Sequence, residues 1–93
     1  MAVIPKDPSS NLDYGFDFSP FLTGDEAITT VSWTVFPVED GGLQVATVID
    51  NGPQRSAVVS GGVPGHQYRL QCSISTDQGR STQRSLTLRV MER

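Results

Sequence analysis

Strict alternation near the C-terminal end constrains this chain more than any other feature. Residues 66–90 read HQYRLQCSISTDQGRSTQRSLTLRV. From Tyr68, every second residue is apolar or small: Tyr68, Leu70, Cys72, Ile74. The turn Asp77-Gln78-Gly79-Arg80 follows, and Leu86, Leu88 and Val90 then alternate again. Successive side chains of a strand point to opposite faces, so a period of two writes one apolar and one polar face. Two such runs around a glycine turn make a β-hairpin. Its apolar face must be buried against a second layer.

The rest of the chain supplies that layer. Leu12, Tyr14, Phe16 and Phe18 alternate with Asp13, Gly15 and Asp17. Ile28 to Phe36 is dense in β-branched residues and holds the single tryptophan, with Val31, Trp33 and Val35 on one face and Thr30, Ser32 and Thr34 on the other. Leu43, Val45, Thr47 and Ile49 form a further strand, and Ser56 to Ser60 a short one. Between them stand turn signals: Thr23-Gly24-Asp25-Glu26, Glu39-Asp40-Gly41-Gly42, Asp50-Asn51-Gly52-Pro53 and Gly61-Gly62-Val63-Pro64-Gly65. No window has a capped helical period. The expected fold is all-β, an antiparallel β-sandwich of about seven strands. Trp33 on an early-middle strand, Tyr68 entering the penultimate strand with its hydroxyl near backbone, and the Trp33–Cys72 spacing look immunoglobulin-like. Trp33, Tyr68, Leu70, Cys72, Leu86 and Leu88 are the predicted core.

Ninety-three residues are one domain's worth. Pro5 and Pro8 break the start, so residues 1–10 read as an extended N-terminal arm and 11–93 as the sandwich domain. The arm is expected to order against a neighbouring subunit. The stretch MAVIPKDPSSN has no long apolar run, so neither a signal peptide nor a membrane span is expected. Cys72 is the single cysteine, which excludes an intrachain disulfide and favours synthesis in a reducing compartment.

Charge is unevenly spread. The net charge of −3 argues against nucleic-acid binding. Residues 1–50 carry one cation, Lys6, against eight acids, whereas residues 51–93 carry six arginines against two acids. If the first and last strands are neighbours, the two halves neutralise each other within one molecule, which is the expected outcome. If they lie on different faces, the acidic surface of one copy can meet the basic surface of the next.

Catalytic vocabulary is sparse, and no enzyme activity, cofactor or small-molecule substrate is expected. His66 is the only histidine and sits in a turn; with one Cys it cannot build a zinc site. The glycine pairs lack the Lys-Ser/Thr of a phosphate loop. Asp25-Glu26 and Glu39-Asp40 come nearest to calcium ligands, but without the spaced acids of a calcium loop.

The stretch KDPSSNLDYGFDFSPFL, followed by SWTV and ending in GRSTQRSLTLRVMER, resembles a family of small structural proteins of tailed bacteriophages. The resemblance spans nearly the whole chain and rests on Lys6-Asp7-Pro8, Leu12-Asp13-Tyr14, Asp17 with its flanking aromatics, Ser32-Trp33-Thr34-Val35, Arg84-Ser85-Leu86 and Glu92-Arg93. It implies a virion component made in the bacterial host cytoplasm, an adaptor or connector at the head–tail or tail–fibre junction. The implied partners are other virion proteins (portal or connector, tail, fibre), met by several copies in a symmetric ring, with no nucleic acid and no membrane. An adhesion or carbohydrate-binding module of a fibre and a capsid decoration protein are the alternatives. Lys6, Asp7, Asp13, Asp17, Phe18, Phe21, Arg84 and Arg89 are the candidate interface residues.

Overall fold

A computed structural model describes residues 3–91. Seven strands account for most of them: β1 (Val3–Lys6), β2 (Leu12–Asp17), β3 (Ile28–Phe36), β4 (Leu43–Asn51), β5 (Gln54–Gly61), β6 (Gln67–Thr76) and β7 (Ser81–Val90). They form a four-stranded sheet in the order β1-β7-β6-β3 and a three-stranded sheet in the order β2-β5-β4. The molecule is an all-β sandwich, 45 × 23 × 20 Å.

The opening hairpin is its spine. On β6, Tyr68, Leu70, Cys72 and Ile74 are at most 2% exposed, while the residues between them face outward. The register aligns Val35, Leu70 and Leu86 across three strands, and likewise Trp33, Cys72 and Arg84. One buried cluster joins Leu43 and Val59 to Tyr68, Leu70, Leu88 and Val90, and a second joins Phe18 to Cys72 and Ile74. Trp33 packs against both and stacks on Phe16, ring centroids 6.1 Å apart. Trp33 and Leu86 are half-buried rather than enclosed.

Three expectations are corrected. The N-terminal stretch is extended, yet residues 3–6 are an edge strand of the sandwich itself. β1 pairs with β7 in parallel, Val3 beside Thr87 and Lys6 beside Val90, so the sheet is not purely antiparallel. Lys6 is 2% exposed, and its Nζ donates to the carbonyls of Asp7 (2.9 Å), Ser10 (2.8 Å) and Gly61 (2.8 Å). Burial of the ammonium lowers its pKa, and the three carbonyls replace its water shell.

Second, β4 does not alternate throughout. Its register against β5 slips between Val45 and Thr47, so a bulge at Ala46 reverses the faces beyond it. Val48 takes the inward side where Thr47 and Ile49 were expected. Third, β2 and β7 belong to different sheets, so the acidic strand does not lie beside the basic one.

Two polar clamps hold the turns. The Tyr68 hydroxyl accepts the Val63 N–H at 2.9 Å and donates to the Glu39 carboxylate, which also meets His66 Nδ1 at 2.8 Å. His66, read as a solvated turn residue, is thus tied to the loop before β4. Beyond the other end of β6, Glu26 accepts from Arg80 Nε (2.9 Å) and Nη2 (2.6 Å) and from the Thr76 hydroxyl (2.6 Å). Arg80 and Thr76 hold its pKa down to about 2. Gly62 lets the chain pass against β7: its φ is +109°, and a Cβ there would stand 2.4 Å from Val90 Cγ2.

Candidate protein interface

Alternation decides where each charged residue stands. On β2, Tyr14 and Phe16 pack against the core, so Asp13 and Asp17 point outward from the three-stranded sheet. On β6 and β7, Tyr68, Leu70, Leu88 and Val90 are buried, so Arg69 and Arg89 point outward from the four-stranded sheet. The two outer faces therefore carry opposite signs on opposite sides of the sandwich. Among the described residues, no ion pair joins Asp13 or Asp17 to Arg84 or Arg89.

Arg84 departs from the expected basic surface. It stands opposite Cys72, on the core side of β7, with its guanidinium carbon 6.0 Å from the Phe18 ring. Phe18 is fully buried and Lys6 nearly so, which makes both supports of the fold and not contact surfaces. Phe21 is half-buried beneath Arg80, 4.2 Å from ring centroid to guanidinium. Asp7 and Asp17 serve matching turns: each Oδ1 accepts from the N–H and hydroxyl of the serine two residues on. The Ser19 bonds lower the pKa of Asp17. Asp13, Asp17 and Arg89 are exposed on the outer faces, and so is Arg69. The flanking Tyr68 and Leu70 were the signal that Arg69 faces outward.

Between the free edges of the two sheets lies a cleft of about 400 Å³, walled by Thr30, Val31 and Trp33 of β3 and Val45 and Val48 of β4. The Asp50–Arg55 ion pair, 3.0 Å, also lines it. The Trp33 indole nitrogen is buried and finds no acceptor among the described residues. The described residues include no cluster of three or more His, Cys, Asp or Glu able to hold a metal ion.

A family model described as podophage GP4 fiber-tail adaptor protein gp77 matches residues 6–89. The chain belongs to that family. No curated protein matches the sequence. Membership makes it a podophage structural adaptor, a component of the virion made in the host cytoplasm, whose business is binding other virion proteins. The family match begins at Lys6 and ends at Arg89, so it takes in β2 to β6 whole and most of β7.

Proposed function

We propose that the chain is a non-catalytic joint at the tail–fibre junction, rather than at the head–tail junction, and that several copies around the symmetric tail dock through their outer faces. The family description favours the fibre side. The observation that carries the docking mode is the opposition of charge: Asp13 and Asp17 on one outer face, Arg69 and Arg89 on the other, with no pairing inside the molecule among the described residues. A surface of one sign meeting a different surface of the opposite sign is a head-to-tail contact, the kind that closes rings. The strand order supports the immunoglobulin-like reading: β7, β6 and β3 in one sheet and β2, β5 and β4 in the other match the division of an immunoglobulin sandwich into its GFC and BED strands.

The test is charge reversal. Arg69→Glu with Arg89→Glu is expected to yield a folded monomer that fails to join particles, with incorporation restored by adding Asp13→Arg and Asp17→Arg. Quantitative mass spectrometry of purified virions reads the outcome, and particles that take up the double-arginine variant at the parental level would refute the docking mode. Particles that have lost fibres but keep their heads and tails, seen when the gene is deleted, place the joint at the fibre; headless tails place it at the other junction.

A further inference from the structure

A sandwich has four free edges, and three of these are blunted. β1 has four residues and contains Pro5. β2 presents Asp13, Gly15 and Asp17. β4 carries the bulge at Ala46 and a charge, Asp50, in its last residues. Short length, proline, charge and bulges are the devices by which sheets refuse an additional strand. β3 has none of them along Thr30–Phe36, which pairs with β6 in unbroken register and contains no proline, glycine or charge. Its other side faces no strand among the described residues, so every second residue presents an N–H and a C=O to whatever comes alongside.

The cleft lies beside this edge. A strand laid along β3 would turn alternate side chains into it, toward Val48, which is 46% exposed, and toward the Trp33 side chain that walls it. We propose that β3 is a strand-addition site: an extended, uncharged segment of a partner virion protein pairs with Thr30–Phe36 and fills the cleft with an apolar side chain. This rests on the reading of the chain as an assembly adaptor. Main-chain pairing supplies affinity in such complexes, and the side-chain slot supplies selectivity.

Charge and area choose the occupant. The edge carries no charge, and the two charged walls of the cleft, Asp50 and Arg55, neutralise each other, so a charged strand would lose its water without gaining a partner. A second copy docked edge to edge meets only along a seam one strand thick and about 30 Å long, well short of the ~1,200 Å² of a stable interface. Its β3 side chains are also already committed to its own core. A flexible segment suffers neither limit.

Val48 and Ile49 provide a matched pair. They are neighbours, 46% and 44% exposed, on opposite faces of β4. Val48→Glu puts a charge in the cleft; Ile49→Glu puts the same charge outside it. In phage lacking the gene and complemented from a plasmid, Val48→Glu is expected to reduce the fibre content of purified virions at least about tenfold, while Ile49→Glu leaves it unchanged. Both variants are expected to melt near the parent. Equal fibre content for Val48→Glu and the parent overturns the proposal, as does a parental dimer in sedimentation that Val48→Glu dissociates. A parent chain absent from virions defeats the adaptor reading instead, so the two failures are distinct.

Discussion

β6 and β4 are strands of similar length, ten and nine residues, with opposite fates. β6 buries every second residue from Tyr68 to Thr76, whereas β4 buries only Leu43. Hydrophobicity does not explain this, since β4 holds three valines and isoleucines beyond Leu43. Position does. β6 lies between β3 and β7, so both neighbours enforce its register, and a slip of one residue would expel its whole apolar set. β4 has a partner on one side only and tolerates an extra residue at Ala46, which turns Val48 inward and Ile49 outward. A strand held on both sides builds core; a strand held on one side is free to build surface.

The contrast is broken most directly by removing buried volume. Leu70→Ala on β6 is expected to cost about 2–5 kcal/mol, whereas Ile49→Ala on β4 should stay within about 0.5 kcal/mol. Equal losses in chemical denaturation would mean that β4 shares the core after all. Lys6→Met comes next. It leaves three carbonyls without their donor at the edge of the β6–β7 sheet, and a loss of about 1–3 kcal/mol is expected.

Acid sharpens the comparison between ends. Glu26 has its pKa held at about 2, against an ordinary 4.5, so its contribution to stability is complete above pH 4.5 and is lost as the pH falls toward 2. Melting temperatures measured across that window are expected to drop more steeply for the parent than for Glu26→Gln, which is less stable at neutral pH and lacks this titration. The smallest change is chemical. Cys72 is fully buried and burial pushes its thiol up to about 11, so native protein is expected to react with a thiol reagent only at its opening rate. Rapid stoichiometric labelling would show that β6 is not clamped as described.

The strands were legible wherever apolar and polar residues alternate, and β3 runs over the same residues, Ile28 to Phe36, that its composition marks. What the sequence hid lies in pairing and register. β1 reads as an arm because Pro5 and Pro8 break the strand signal; the carbonyls of Asp7, Ser10 and Gly61, the last 55 positions away, make the burial of Lys6 tolerable. The bulge at Ala46 is a single residue with no compositional mark. The choice between pairing and opposing the charged faces depended on which sheet takes β2, and alternation is blind to that. Arg84 misled for a related reason: it occupies a core-facing position at the part of β7 that β1 does not reach, where a long side chain escapes over Phe18.

The parallel pairing of β1 with β7 has a mechanical consequence. Val3 lies beside Thr87 and Lys6 beside Val90, and the Met91 N–H donates to the Lys6 carbonyl at 2.8 Å. Traction applied to the chain before residue 3 and after residue 91 pulls these two neighbours past each other along their length. Bonds running across the strands are then loaded together rather than peeled one at a time. An adaptor tugged through its two ends would resist as a lap seam does and not as a zip.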